Sequence, residues 1–560
     1  MVAEPDCTIW IPEGWTAEPP VGRPGAHEDR PMSGESMGPA QLAVRIARLT
    51  GIAHEMGEVL RRGAFSPNIK ERADCSAALF TADGTLLVQA EHIPVHLGSM
   101  PASVRAAIDA LGDDLAPGEQ VILNDPFAGG THLNDVTVVA PVFAAAGASA
   151  GPRLIGWVAN RAHHADLGGA APGSMPADAN HIAQEGLRIP PVRLTAEVAA
   201  LVAASSRTPG ERAGDLDAQV GANRLGAERF AALGDGGLDE VVAYGERRMR
   251  AALAALPDGT WRFADVLDSF GPDPDQQEPT RLEVTVTVAG EEIAFDFTGT
   301  DPQRHGNVNA VEAVTVSAVA WALRSVLDPT IPANGGALAP VWVIAPEGTV
   351  VAARFPAAVG AGNVEVSQRV ADACLGALAQ IVPARVPAAG QGTMNNLLLG
   401  GDGWVSYETL AGGQGGRPPK PGAEAAGPVP GMSGVHTAMT NTRNTPVEAF
   451  ERAFPVRVRR QRLRRGSGGA GAAPGGEGIE RELQVLEPAI LSLISERRTS
   501  RPWGLAGGEP GEAGADRLLP GGDEGRARHL RPKATVHLEA GDVVRIVTPG
   551  GGGWGAPPRS

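Results

Sequence analysis

The chain has 560 residues, of which 43% are hydrophobic and 20% charged, a balance typical of globular proteins and unlike that of disordered chains. Its formal net charge is −16 and its only long basic run is 457–465, which argues against nucleic-acid binding, because that needs a basic surface. The three cysteines show no CxxC spacing, and neither a signal peptide nor an apolar stretch of about 18 residues is present, so we expect a cytoplasmic protein without disulfides or membrane spans.

The first predicted element is an amphipathic helix from Pro39 to about Arg62, where apolar residues recur at intervals of three and four. The pair Asp83-Gly84 joins two apolar runs, which predicts a β-hairpin. A short helix and three strands are then predicted at Ser103–Leu111, Gln120–Asn124, Val136–Phe143 and Leu154–Asn160. The basic run 457–465 is interpreted as a solvated strand or a subunit contact.

The remaining chain alternates between helices and strands. Helices are predicted at 240–256, 310–327 and 368–382, and Leu282–Val288 alternates as a half-buried strand does. Glycine-rich segments are predicted as turns or loops at 360–363, 411–434, 466–478 and 548–555. The fold class expected is therefore α/β or α+β, a large multi-layer mixed-sheet protein with glycine-rich loops and a β-rich C-terminal part.

Composition shifts along the chain predict four regions. Residues 1–36, rich in Pro, Gly and acidic groups, are expected to form a flexible extension. A domain at 37–235 carries the densest clusters of ionisable residues, a central α/β region covers 236–410, and a glycine-rich, β-rich region covers 411–560.

A candidate metal site is formed by two of these clusters. In His132-Leu-Asn-Asp135, which turns into a predicted strand, an imidazole and a carboxylate can face one ion, and a histidine of the pair His163-His164 can close the site. A further aspartate would complete four ligands, a set that suits Mn²⁺, Zn²⁺ or Fe²⁺ better than Ca²⁺ or Mg²⁺. The spacing is equally compatible with hydrogen-bonded loop histidines, but glycine pairs at 129–130 and 168–169 favour backbone packed around a site.

Two further features leave alternatives open. His92 and His96 lie four residues apart, but Pro94 between them argues against a shared helical face, so they are interpreted either as contacts to substrate or ligands or as core residues. The segment 411–417 can cradle an anion through backbone N–H groups or form a plain loop, and it lacks the GxxxxGK[ST] pattern of a phosphate-binding loop.

The ordered motifs of the chain resemble those of the hydantoinase B/oxoprolinase family from about residue 37 to the C-terminus. The segments that carry the resemblance are Glu55–Ser76, His92–Pro101, Asn124–Asp135, His163–Gly169, Gly362–Glu365, Tyr407–Thr409, Ser433–Thr437, Asn441–Glu448, Arg465–Gly471 and Ser495–Arg498.

The resemblance implies metal ligands at Asp74, His132, Asp135 and His163, with His164 as the alternative to His163 and as a further catalytic residue. It implies that His96, Asp125 and Asp166 orient ligands, water or substrate. Members of the family pair with an A-type ATPase subunit, as a separate chain or fused. That subunit phosphorylates the carbonyl oxygen of a cyclic amide or ketone, and the B-type subunit completes the reaction at a divalent metal.

The resemblance thus predicts the hydrolytic subunit of an ATP-dependent cyclic-amide hydrolase, acting on hydantoin, N-methylhydantoin, 5-oxoproline or a similar lactam within a hetero-oligomer. Two alternatives remain: a ketone carboxylase subunit of the same family, and a non-catalytic scaffold for an A-type partner. The chain has no ATP-binding signature, so ATP use is expected on the partner. An apparent insertion at 418–430 makes the catalytic geometry near it less predictable.

Overall fold

The computed structural model describes residues 2–4, 7–9, 37–90, 93–144 and 152–558. Contacts divide the chain into two units, Met1–Met37 and Gly38–Ser560. In the first unit, strands β1 (Val2–Glu4) and β2 (Cys7–Ile9) pair in antiparallel fashion. Most of the predicted extension over 1–36 and the histidine at 92 lie outside the described residues. The domain boundaries expected near 235 and 410 stay predictions.

An antiparallel sheet organises the first part of the second unit. Its strands are β3 (Cys75–Thr81), β4 (Leu86–Ala90), β5 (Val121–Leu123), β6 (Asp135–Phe143), β7 (Leu154–His163) and β8 (Val192–Arg193). They lie in the order β4-β3-β7-β6-β5-β8. The predicted hairpin and the three predicted strands are confirmed, and β7 runs three residues further than predicted, to His163.

Helices cover both faces of this sheet. They are α1 (Pro39–Gly63), α2 (Pro67–Lys70), α3 (Ser99–Leu111), α4 (Ala196–Ser205) and α5 (Pro209–Leu233). Apolar residues of α3 pack on one face around Trp157, and α1 and α5 pack on the other. The predictions of α1 and α3 are confirmed. Helix α5 was not predicted, because it contains four glycines and buries polar residues such as Gln219 and Asn223, which hides the apolar periodicity.

The middle of the chain adds a second sheet and the central core. Its elements are α6 (Leu238–Leu253), β9 (Gly259–Leu267), β10 (Thr280–Ala289), β11 (Glu292–Asp296), α7 (Glu312–Val326), α8 (Gly335–Leu338), β12 (Val341–Ile344) and α9 (Ser367–Ile381). The strands lie in the order β12-β11-β10-β9, and alternate residues of β10 face a core shared with α7 and α9. A π-helical turn, Gly362–Val366, leads directly into α9. The prediction of a non-helical turn or loop at 360–363 is therefore wrong, since residues 360 and 361 are α-helical and residues 362 and 363 belong to the π-helical turn.

The C-terminal part is a sandwich of two antiparallel sheets. Its elements are β13 (Asn396–Gly401), β14 (Trp404–Thr409), α10 (Val447–Ala453), β15 (Val456–Leu463), β16 (Ile479–Val485), β17 (Ala489–Ile494), β18 (Ala515–Leu519), β19 (Arg528–Leu530), β20 (Lys533–Leu538) and β21 (Val543–Val547). The sheets run β14-β13-β17-β20 and β15-β16-β21-β18-β19. Alternate residues of β13 face two cores: Leu397 and Leu399 pack inside the sandwich, and Leu398 packs against the central core. The basic run begins in β15, an edge strand, which confirms the strand interpretation.

The glycine-rich segments pack against one another through their backbones. The segment 411–417 forms backbone hydrogen bonds with the glycine-rich segment 548–555. The Gly413 N–H donates to the Pro549 carbonyl and the Gly416 N–H to the Gly552 carbonyl. A Cβ at Gly476 would stand 1.9 Å from the Met432 carbonyl oxygen, so no other residue fits there. These N–H groups serve backbone pairing, which favours a structural role for 411–417 over anion binding.

The expected fold class is confirmed as a mixed α/β protein with several sheets. Within the described ranges, no helix is long and apolar enough to cross a membrane.

Candidate metal centre

Three neighbouring strands of the six-stranded sheet, β3, β7 and β6, begin or end on the same side of the sheet, and polar residues cluster at these strand ends. Asp135 begins β6, His163 ends β7, and the two residues are paired across the ladder. Asp74 immediately precedes β3, and its carbonyl oxygen accepts the N–H of His163. His132 lies one turn before β6. Antiparallel pairing of β3, β7 and β6 thus brings together the four residues for which the resemblance implied a ligand role.

Three of these side chains converge on one point. Asp135 Oδ1 lies 3.2 Å from His132 Nε2 and 3.4 Å from His163 Nδ1. Two ligand atoms that are each about 2.1 Å from a shared ion stand roughly 3.0–3.4 Å apart, so the spacing fits a common ion. In the part of the chain that the structure describes, one group of side chains has metal-binding geometry, and it consists of His132, Asp135 and His163.

The hydrogen bonding of these buried atoms also fits a metal. Among the described residues, neither ring nitrogen of His132 has a hydrogen-bond partner, and the same holds for His163 Nε2 and Asp135 Oδ1. Leaving a buried polar atom unpaired costs about 1–3 kcal/mol, and more for a charged group. A divalent cation at the point of convergence would satisfy two of these atoms, His132 Nε2 and Asp135 Oδ1.

Electrostatics keep the candidate ligands Asp135 and His163 in metal-binding protonation states. Burial would raise the pKa of Asp135, but the imidazoles of His132, His163 and His96 hold it well below its usual range. Burial lowers the pKa of His163 to about 3, so its ring stays neutral, as a metal ligand requires. Burial raises the pKa of Asp74 to about 7, and the nearby Asp135 carboxylate adds to this rise. A cation would relieve the repulsion between the two carboxylates.

Asp74 and His96 lie beside the three converging residues. Both line the same small cavity as Asp135 and His163. His96 Nε2 is 3.4 Å from Asp135 Oδ2, and its Nδ1 is 2.9 Å from the Ser76 hydroxyl. The Thr131 hydroxyl donates to the same Asp135 oxygen at 2.6 Å. His96 therefore lies against the carboxylate of a candidate ligand.

The other sequence-predicted residues lie apart from this point. His164 faces α5, where its Nε2 is 2.8 Å from Gln219 Oε1, because successive residues at a strand end point to opposite sides. Asp125 accepts the Phe127 N–H and lies 3.5 Å from Arg188. Asp166 accepts the Gly173 N–H and pairs with Arg207. The structure does not bring these three residues to the converging ligands.

Sequence reasoning assigned no role to several residues that surround the centre. Tyr407 of β14 stacks on His163, and its hydroxyl donates to Asn396 Oδ1. Asn396 Nδ2 in turn donates to Glu365 Oε1. Asn363 and Met394 line the cavity. Tyr407 and Asn363 lie within the motifs that carried the resemblance, but their place beside the centre depends on contacts with residues 200 or more positions away in the chain.

The fold and this centre define a class: a large mixed-sheet protein with a buried candidate site for a divalent metal, made of two histidines and one aspartate. The profile of the hydantoinase B/oxoprolinase family matches residues 38–557, and the chain belongs to that family.

Three similar proteins illustrate the family. The chain is 39% identical to 5-oxoprolinase 1 of Arabidopsis thaliana over 92% of its own length, but spans only 42% of that protein. It is 31% identical to a putative D-/L-hydantoinase subunit of Pseudomonas sp. (strain NS671), covering 93% of this chain and 90% of that one. The crystal structure of the ATP-dependent caprolactamase from Pseudomonas jessenii superposes with a TM-score of 0.83 and 26% identity, covering 93% and 92% of the two chains.

Proposed function

We propose that this chain is the metal-dependent hydrolytic subunit of an ATP-dependent cyclic-amide hydrolase. The observation that carries the proposal is the convergence of His132, Asp135 and His163 on one point, where His132 Nε2 and Asp135 Oδ1 are buried and unpaired. Relatives named as a 5-oxoprolinase and a hydantoinase subunit, and the fold likeness to a caprolactamase, support the reaction class.

In this proposal, His132, Asp135 and His163 hold the ion and Asp74 is the fourth ligand. Two imidazoles and two carboxylates suit Mn²⁺, Zn²⁺ or Fe²⁺. A divalent ion in such a site lowers the pKa of a bound water and polarises a carbonyl oxygen. His96 and Thr131 hold the Asp135 carboxylate in place, and the buried setting limits the access of bulk water. His164 is not needed by this arrangement.

We propose further that an A-type ATPase subunit supplies the activated substrate. An amide is a poor electrophile because its nitrogen donates into the carbonyl group, and phosphorylation of the carbonyl oxygen removes that resonance. The Arabidopsis 5-oxoprolinase is more than twice as long as the region that matches this chain, which leaves room there for a second functional part. The Pseudomonas hydantoinase relative is named as one subunit of its enzyme, which fits a partner on a separate chain.

The test combines metal analysis with activity. The purified chain is expected to hold about one Mn, Zn or Fe, and coexpression with an A-type subunit is expected to give ATP-dependent opening of a lactam ring. His132→Ala and Asp135→Ala should abolish both metal retention and turnover while the complex still forms. His537→Ala, on the exposed side of β20, is the matched control. Full turnover by either ligand variant would refute the site, and a bicarbonate-dependent product would identify a carboxylase instead.

A further inference from the structure

A loop of residues 436–444 covers the cavity at the metal centre. It runs without a helix or strand, and its buried side chains Met439, Thr440 and Thr442 line the cavity, whereas Asn441 and Arg443 are exposed. The free volume beneath the loop is about 20 Å³, room for about one water molecule. Any larger ligand therefore needs part of the cavity wall to move.

Much of the remaining wall belongs to regular elements that are held by ladders of backbone hydrogen bonds. Asp135 and His163 lie on paired strands, Tyr407 and Thr409 lie on β14, and Val364 lies on the π-helical turn. Local opening occurs where such cooperative bonding is sparse. The loop is therefore the part of the wall that moves most easily.

The first part of the loop, residues 436–441, is held by side-chain hydrogen bonds. Gln368 Nε2 donates to the Thr437 carbonyl. His436 Nε2 lies 3.0 Å from Asn444 Oδ1, so the two ends of the loop are clasped together by a hydrogen bond between neutral groups. Each such bond contributes little net stability in water, because the open loop bonds to solvent instead.

The backbone of the loop differs between its two parts. Ala438 has a φ of 52°, the left-handed region that residues other than glycine rarely adopt, and such residues cluster at switch segments. The second part is tied to Arg72, which donates to the Thr442 hydroxyl and accepts the Arg443 N–H through its carbonyl. Movement is thus expected over residues 436–441, with 442–444 as the fixed end.

Buried polar atoms at the base of the loop remain without partners. Within the described ranges, His436 Nδ1, Thr437 Oγ1 and Gln368 Oε1 are buried and form no hydrogen bond. A buried polar atom that lacks a partner destabilises the conformation that buries it. Opening of the loop would expose these atoms to water, so the closed conformation is favoured by only a narrow margin.

We propose that residues 436–441 form a lid over the metal centre, which the hydrogen bond between His436 and Asn444 holds closed and which opens to admit ligands to the cavity. This inference rests on the proposed function, because it assigns the access route to that centre. His436 and Asn444 then act through the lid, by setting the fraction of time for which it is open.

The first test measures how often the buried face of the lid meets solvent. Met439→Cys places a thiol on that face, and the full chain without metal is treated with iodoacetamide and digested for peptide mass spectrometry. The buried thiols of Cys75 and Cys374 are internal controls. The introduced thiol is expected to react at least about tenfold faster than Cys374, because local opening is far more frequent than opening of the core.

The second test breaks the clasp. Asn444→Ala should accelerate labelling of the thiol introduced at position 439 about twofold to tenfold, the effect of one hydrogen bond. Asn441→Ala, the same change at an exposed position of the loop, is the matched control and should leave the rate unchanged. In a chain loaded with Mn²⁺ or Zn²⁺, Asn444→Ala should speed transfer of the ion to a chelator by a similar factor, at unchanged metal content.

The outcomes separate the lid from the proposed function. A thiol at position 439 that reacts no faster than Cys374, or an unchanged rate in Asn444→Ala, would overturn the lid. Faster labelling without faster metal transfer would overturn its role in access. If Met439→Cys does not fold, hydrogen exchange of amides 437–441 replaces labelling, and equal exchange in the parent and in Asn444→Ala overturns the lid. Labelling needs no metal, so a chain that binds no divalent ion refutes the proposed function alone.

Discussion

Tyr407 lies flat against the imidazole of His163, with ring centroids 4.6 Å apart and planes inclined by 14°. The hydroxyl of Tyr407 donates a hydrogen bond to Asn396 Oδ1, and Asn396 Nδ2 donates one to Glu365 of the π-helical turn. The Arg72 guanidinium lies 4.8 Å from the centre of the same ring. The orientation of a candidate ligand from the first sheet is thus set by a side chain from the C-terminal sandwich.

This stacking leads to a prediction about metal affinity. Tyr407→Phe keeps the ring and should change the affinity less than about threefold, whereas Tyr407→Ala should weaken it about tenfold to a hundredfold, the usual effect of removing a group that orients a ligand. Titration with Mn²⁺ or Zn²⁺ against a competing chelator would measure both. Equal affinities in the two variants would show that stacking does not position His163.

The adjacent histidines provide a second prediction. His163→Ala should reduce the metal content from about one ion per chain to near zero, because it removes one of three converging ligand atoms. His164→Asn should retain the ion and lower the melting temperature, because it loses the buried contact with Gln219. Metal analysis and thermal unfolding of both variants would check this. Metal loss in His164→Asn alone would transfer the ligand role to His164.

The buried carboxyl group of Glu185 should make the free energy of unfolding depend on pH. Its Oε1 accepts the N–H groups of Val359 and Gly360, yet burial raises the pKa of its carboxyl to about 8. The unfolded chain ionises this group at about 4.5, so the folded state loses stability as the pH rises from about 4.5 to 8. Glu185→Gln should therefore match the parent near pH 4.5 and melt a few degrees higher at pH 9. A difference in melting temperature that does not change with pH would contradict this explanation.

Replacing Gly362 by alanine tests the packing of the π-helical turn, and Gly221 of α5 provides a comparison. Gly362→Ala should destabilise the chain by about 1–3 kcal/mol, because the new methyl group meets the Asn309 backbone. Gly221→Ala, in the interior of α5 where the added Cβ meets nothing within 4 Å, should stabilise it by about 0.5–1 kcal/mol. Thermal unfolding of both variants gives the comparison. A Gly362→Ala chain as stable as the parent would show that the turn relaxes.

The sequence by itself determined those secondary-structure elements whose signal lies in residues close together in the chain. The periodicity of α1, the Asp83-Gly84 hairpin and the alternation of β10 each predicted an element that the structure contains. The motif His132-Leu-Asn-Asp135 also indicated the centre, since its two side chains are close in sequence and remain close in space.

Only the tertiary structure decided which residues join that centre. It separated His163 from His164, because one strand end sends adjacent side chains to opposite faces of the sheet. It brought Asn363 and Tyr407 to the cavity from distant elements, and it turned the predicted loop at 360–363 into a helical turn. Such contacts arise from the packing of whole sheets and helices, which residue spacing along the chain does not encode.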